Sequence, residues 1–140
     1  MLAYQAEISA LNNSGVQCPP VDAIADDRLA WRWVFSPITS LSAEPVAIRN
    51  PRRLHSQNDT QKCSCWALSM HASKAQSVAA FQAILKHHPK AKKLLGDHVA
   101  SVAITSDHGL CTTAQHNGHF DFFSYATTNV TSMMAVSERL

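Results

Sequence analysis

Residues 63–85, CSCWALSMHASKAQSVAAFQAIL, carry the clearest structural signals of the chain. Cys63 to Met70 alternates in side-chain character and predicts a strand, with Leu68 on the face that packs in the core. Ser73 followed by Gln76 three residues later is the pattern of a capping box, so a helix should begin at Lys74. It should run to about His88 and bury one stripe of apolar side chains at spacings of three and four: Val78, Phe81, Ile84 and Leu85.

Three more segments outside this region predict strands. Leu29–Phe35 (LAWRWVF) is rich in aromatic and β-branched residues and is followed by Pro37, and His98–Thr105 alternates in hydrophobicity. Asp107-His108-Gly109 is a turn signal that should fold the chain back on this strand as a hairpin through Leu110–Thr113. His119–Tyr125 is the last predicted strand.

The remaining segments complete an α+β domain. Met1–Leu11 predicts a short helix within a peripheral N-terminal segment, residues 1–28, and residues 127–140 predict a C-terminal helix or extended arm. Ser36–Gln61 reads as a long irregular loop in which Pro45–Ile48 forms a short strand; such a loop is usually functional or mobile. An antiparallel or mixed sheet packed by one principal α-helix, forming a single domain over residues 1–140, is the economical architecture.

The composition favours a domain that binds its partner through apolar surface over one that binds through charge. Apolar residues make up 46% of the 140 residues, and the charged residues Asp, Glu, Lys and Arg make up only 16%, against roughly 25% in an average soluble protein. The net charge of +2 argues against a nucleic-acid partner, which would require a concentrated basic face. Three tryptophans and five phenylalanines suit a surface covered by a second copy, giving a homodimer, or by a small molecule or protein partner.

The chain has no apolar run long enough for a membrane span and no N-terminal basic region followed by an apolar segment. We therefore expect a cytoplasmic protein without membrane association. In a reducing cytosol free thiols are the expected state of the four cysteines, which are Cys18, Cys63, Cys65 and Cys111.

One cluster has the side-chain chemistry of a metal site. His108, Cys111, His116 and His119 follow one another within twelve residues of the predicted hairpin and the strand after it. Imidazole and thiolate are good zinc ligands, so zinc is a possible cofactor. The spacing matches no standard zinc pattern, and a solvated or core-satisfied hairpin is the alternative interpretation.

A second pattern pairs an arginine with a serine. Arg32 lies in the predicted strand WRWVF, and Ser69 lies in WALSMHAS, just before the capped helix. This arrangement resembles the ADP-ribosyltransferases, in which an arginine on an early strand and a serine on a later strand, with a helix after it, hold a nicotinamide dinucleotide. The resemblance covers about forty residues. That family also uses a late glutamate, and this chain offers only Asp121 as a late carboxylate near an aromatic strand.

The sequence thus permits several functions. We expect a small binding or accessory domain, with an NAD-using ADP-ribosyltransferase-like enzyme and a zinc-binding domain as alternatives. An enzyme requires Arg32, Ser69 and a carboxylate within reach in one cleft, whereas a binding module should show an apolar cavity or a flat patch. The expected ligand-binding residues are Arg32, Ser69, His119, Asp121 and Tyr125. All of these except Ser69 meet in one cleft if the first and last strands are neighbours.

Overall fold

The computed structural model describes all 140 residues, which form an antiparallel sheet with helices. The six strands pair in the order β4-β5-β2-β1-β3-β6. Every pairing is antiparallel. Alternating sequence patterns are typical of antiparallel strands, which commonly bury only one face. The predicted α+β class is confirmed. The strands are β1 (Arg28–Val34), β2 (Leu68–His71), β3 (His98–Ile104), β4 (Gly109–Cys111), β5 (His119–Ser124) and β6 (Met134–Arg139).

The longest helix is the one that the capping pattern predicts. It spans Lys74–Leu85, and the Ser73 hydroxyl caps it by accepting a hydrogen bond from the backbone N–H of Gln76 at 3.2 Å. The helix packs on β1, β2 and β3, with Phe81 buried and the rest of the predicted stripe half-buried or exposed. The α-helices are α1 (Gln5–Asn13), α2 (Val46–Arg49), α3 (Asp59–Ser64), α4 (Lys74–Leu85) and α5 (Ala91–Leu94), and short 3₁₀ helices span Ser40–Ala43, Pro51–Ser56 and Val130–Met133.

Two apolar clusters hold the sheet. The larger one lies on the face opposite α4 and includes buried side chains of β1, β2, β3 and β5: Ala30, Leu68, Met70, Val102, Ile104, Phe120 and Phe122. The smaller one joins α1 to the end of β5 through Ile8 and Phe123. Burial of these side chains is the main term that stabilises the fold.

The strand predicted over Cys63–Met70 is only half present. α3 extends to Ser64, and the strand begins at Leu68. A capping box starts this helix, because Asn58 accepts from the Gln61 N–H and the Gln61 side chain accepts from the Asn58 N–H. Local helix capping therefore overrides the alternating pattern that favours a strand.

The predicted long loop also contains more structure than expected. Val46–Arg49 is a helical turn rather than part of a strand, and Pro45 precedes it in an extended conformation suited to a helix start. With the two 3₁₀ helices and α3, these turns make Ser36–Gln61 a packed wall of the domain.

The cysteines correct the expectation of free thiols. Cys18 and Cys63 form a disulfide that ties the N-terminal segment to α3, whereas Cys65 and Cys111 are free and buried. Cys63 lies on α3 and faces Cys18, which is 45 residues away in the sequence.

The hairpin prediction names the wrong pair of strands. β3 pairs with β1 and β6, while β4 pairs with β5. The turn at Asp107-His108 carries the chain across the molecule, because β1 already occupies one edge of β3 and the C-terminal arm occupies the other. That arm is strand β6, preceded by Val130–Met133. No helix of the structure is long and apolar enough to cross a membrane.

Candidate functional site

A cleft of about 830 Å³ opens on the sheet face that also carries α4. Its floor is formed by side chains of the three central strands β1, β2 and β5. One wall is the segment from Glu44 to Ala67, and the other wall is the end of α4 with α5, including His88 and Leu94. The floor residues are Trp33, Ser69, His71, His119 and Asp121.

The cleft forms where two neighbouring strands separate. β1 and β2 share a single pairing, Trp31 with His71, so their backbones diverge beyond it. The Arg32 guanidinium fills the gap and donates three hydrogen bonds to backbone carbonyls. Nε donates to the carbonyl of Ser42 at 2.9 Å, Nη1 donates to that of Ser69 at 3.0 Å, and Nη2 donates to that of Glu44 at 3.2 Å.

Burial governs the chemistry of Arg32. The residue is 8% exposed, and desolvation, with a smaller contribution from the nearby Arg49, lowers its pKa to about 10. It therefore stays charged at neutral pH. Three of its five N–H groups are used by the carbonyls, which leaves two donors for the cleft.

Four polar side chains form a square on the floor. β2 pairs with β5 in a register that sets Ser69 opposite Asp121 and His71 opposite His119. Because directly opposed residues of a ladder point to the same face, all four side chains face the cleft. Across one diagonal of this square, Ser69 Oγ and His119 Nε2 are joined by a hydrogen bond of 2.8 Å.

The turn before β5 fixes the position of His119. Gly118 adopts a left-handed conformation with φ of 86°, and a β-carbon there would collide with the Gln76 side chain of α4. The Asn117 side chain accepts a hydrogen bond from the His119 N–H at 3.0 Å. Glycine is favoured at this turn because of its left-handed conformation, whereas the flexible end of the Gln76 side chain could move aside.

Asp121 is held in a desolvated environment. Burial raises the pKa of its carboxyl group, and the hydroxyl of Ser64, which donates to Oδ2 at 2.7 Å, and the nearby His119 act in the opposite direction. Asp121 Oδ1 lies 3.8 Å from His119 Nε2. Since Ser69 and Asp121 approach the same nitrogen, the three do not form a relay of the serine-protease kind, in which the acid binds the other nitrogen.

His71 is uncharged at neutral pH. It is 4% exposed, and burial, with a smaller effect from His119, lowers its pKa to about 4. Its ring packs against Trp33, with centroids 5.6 Å apart, and against His119 at 5.7 Å. His71 was not predicted as a site residue; the sequence signal was its place two residues after Ser69, which puts it on the same face of β2.

The walls add positive charge. Arg49 and Arg53 line the cleft on the side of the Glu44–Ala67 segment. Arg49 Nη2 also donates to the Leu94 carbonyl at 2.9 Å, which connects this wall to α5. The sequence shows these arginines as a local charge cluster, but only the packed wall directs them towards the cleft.

The predicted site residues divide into two groups. Arg32, Ser69, His119 and Asp121 line one cleft, although β1 and β5 are not neighbours but flank β2. Tyr125 lines a separate cavity of about 330 Å³ with Tyr4 and Asn129, because it lies beyond the end of β5 and packs with the smaller apolar cluster.

The four residues of the predicted zinc site are not brought together. The His108 ring accepts from the Thr105 N–H at 2.9 Å, His116 is exposed, and His119 binds Ser69. Cys111 is fully buried, and desolvation raises its pKa to about 11, which disfavours the thiolate that binds zinc. No three His, Cys, Asp or Glu side chains are grouped in a way that could hold a metal ion.

Comparisons with known proteins give no relative. The chain matches no protein-family model, no curated protein and no solved structure.

Proposed function

We propose that the cleft binds a nicotinamide dinucleotide and that the protein is an ADP-ribosyltransferase-like enzyme, which breaks the bond between nicotinamide and ribose. The observation that carries this proposal is the convergence of Arg32, Ser69 and Asp121 on one cleft. These three residues lie far apart in the sequence and meet because β1 and β5 both flank β2. A flat or purely apolar surface would favour a binding module instead.

The carboxylate supplies the chemistry that such a reaction needs. Breaking an N-glycosidic bond develops positive charge on the ribose, as in the oxocarbenium-like transition states of glycoside hydrolysis. Asp121 presents a carboxylate on the cleft floor, pre-positioned by the Ser64 hydroxyl. A negative group held in a partly desolvated site stabilises developing positive charge more than it would in water.

The basic side chains suit a diphosphate. Arg49 and Arg53 lie on one wall, and Arg32 has two unused N–H groups beside them. Guanidinium groups bind phosphate oxygens through paired hydrogen bonds. Trp33 adds an aromatic surface to the floor, on which a planar ring can pack.

The test combines binding with turnover. Calorimetry with NAD measures affinity, and chromatography of released nicotinamide measures the reaction in the wild type, in Asp121→Asn and in the matched control Asp107→Asn, whose residue is exposed in a turn. We expect Asp121→Asn to keep the affinity within about threefold and to lose about 100-fold in release rate. The control should match the wild type.

Two outcomes contradict the enzyme. Absence of NAD binding would remove the proposal entirely. Binding without nicotinamide release would leave the non-catalytic binding or accessory domain as the function. Arg32→Ala is a poor probe of either, because it would leave three carbonyl groups, one buried and two part-buried, without their donor.

A homodimer is a further proposal, and it is supported by the exposed edge of the sheet. β6 pairs only with β3, so its outer edge carries unpaired backbone groups, and most of its residues are exposed. A second copy could add its own β6 to this edge. Light scattering that gives only the mass of a monomer at high concentration would contradict this proposal.

The cytoplasmic location is likewise a proposal, and the disulfide provides its test. Disulfides are rare in cytosolic proteins and common in oxidising compartments. All four cysteines are buried in the folded protein, so cells are lysed directly into denaturant with an alkylating reagent, which should label all four if the protein is kept reduced. Labelling of only Cys65 and Cys111 would contradict a reducing location.

A further inference from the structure

The proposed function uses Ser69 to hold a dinucleotide but gives no role to the hydrogen bond between Ser69 and His119. The serine hydroxyl and the histidine Nε2 are 2.8 Å apart, and the His119 side chain is 27% exposed. The bond crosses diagonally from β2 to β5, so a small shift in strand register would break it. A hydroxyl bonded to an accessible imidazole is an arrangement that can move a proton.

The contacts of His119 place its Nε2 where it can take up a proton from Ser69. His71, the ring next to it, is buried, and positive charge lines the wall at Arg49 and Arg53. Asp121 is the only negative group close to its Nε2, at 3.8 Å. When the ring is neutral with its proton on the other nitrogen, Nε2 accepts the hydrogen bond from Ser69.

The charges of the cleft also restrict the acceptor. Arg32, Arg49 and Arg53 line the cleft against two carboxylates, those of Glu44 and Asp121, so a guanidinium or ammonium acceptor would add to a net positive charge. Like charges in a partly desolvated cleft repel one another strongly. A neutral group with an O–H bond meets no such barrier and can donate a hydrogen bond to the Ser69 hydroxyl.

We propose that the acceptor of ADP-ribose is an oxygen nucleophile, water or a hydroxyl group, and that Ser69 and His119 remove its proton. The inference rests on the proposed function. As the bond between ribose C1′ and the nicotinamide nitrogen breaks, its electron pair leaves with nicotinamide, which becomes neutral. The nucleophile oxygen bonds to C1′ and gives its proton to Ser69 Oγ, while Ser69 passes its own proton to His119 Nε2. The proton then passes to solvent.

The experiment uses NAD as the probe and water as the acceptor. It compares the wild type with His119→Gln, Ser69→Ala and the matched control His116→Gln, whose histidine is exposed and outside the cleft. Glutamine retains polar groups but cannot take up the proton. We expect His119→Gln to bind NAD within about threefold of the wild type and to lose about 100-fold in kcat. His116→Gln should behave as the wild type.

The pH profile separates proton uptake from a merely structural role. The wild-type kcat should fall at acid pH as the accepting base and the Asp121 carboxylate become protonated. His119→Gln should remove the part of this fall that is due to the base, while the part due to Asp121 remains. The groups that face His119 are His71 and Asp121, with Glu44, Arg49, Arg53 and His88 on the walls. A pH profile that is unchanged in His119→Gln, or an unchanged kcat, would overturn the inference.

The failure of this inference is distinct from failure of the proposed function. If the wild type neither binds NAD nor releases nicotinamide, the proposed function fails first. If the wild type reacts and both His119→Gln and Ser69→Ala react equally fast, only the proton path is overturned. Ser69 is exposed, so Ser69→Ala keeps the test valid if the histidine variant does not fold.

Discussion

The two faces of the β2–β5 pair contrast sharply although they belong to the same ten residues. On one face Leu68, Met70, Phe120 and Phe122 are buried in the larger apolar cluster. On the other face Ser69, His71, His119 and Asp121 form the polar floor of the cleft. The difference teaches that a two-residue period lets one ladder serve as both core and site.

The contrast also explains why the site is well positioned. Ser69 and Asp121 each lie between two side chains that pack in the core, and His71 and His119 each adjoin one, so their backbone cannot move without disturbing the packing. Catalytic side chains need such support, because small errors in position are costly. The two faces should therefore differ in how much a mutation changes the free energy of unfolding.

Truncation on the apolar face should have the largest effect on stability. Phe122 is 0% exposed, and Phe122→Ala should lower the free energy of unfolding by about 3 to 5 kcal/mol through lost burial and a residual cavity. Urea denaturation measures this change. Ser69→Ala on the opposite face should change it by less than about 0.5 kcal/mol. Equal losses in the two variants would mean that the faces are not energetically distinct.

Arg32 should show the second largest effect, because it connects the two faces. Arg32→Met preserves much of the side-chain volume but leaves the carbonyls of Ser42, Glu44 and Ser69 without a donor. We expect a loss of about 3 kcal/mol in the free energy of unfolding. Arg53→Met, on the cleft wall, is the control and should be nearly neutral. An unchanged stability of Arg32→Met would show that water replaces the guanidinium.

The polar face should make stability depend on pH through His71. Its pKa is lowered to about 4 in the folded protein, against about 6.5 in the unfolded chain. Its contribution is therefore fully present above about pH 6.5 and is lost as the pH falls towards 4, by about 2 to 3 kcal/mol. Unfolding measured across this range in wild type and His71→Gln tests it, with His116→Gln as control. The same pH dependence in His71→Gln would contradict this assignment.

The sequence anticipated the parts of the fold that depend on local rules. The Ser73 cap, α4 and the positions of β1, β3 and β5 follow from capping and from side-chain periodicity, which act within a few residues. The prediction of a strand at Cys63 was wrong for a local reason too, because the Asn58 capping box begins a helix that includes Cys63. The predicted hairpin of β3 and β4 failed because a turn signal does not state which strands pair.

The sequence by itself determined which residues share a face: Ser69 with His71, His119 with Asp121, and Arg32 with Val34, because the side-chain period is a property of each strand alone. Only the tertiary structure decided that β2 lies between β1 and β5, that Arg49 and Arg53 form a wall of the cleft, and that Cys18 meets Cys63. Strand order and long-range contacts depend on the packing of the whole chain, so no local pattern encodes them.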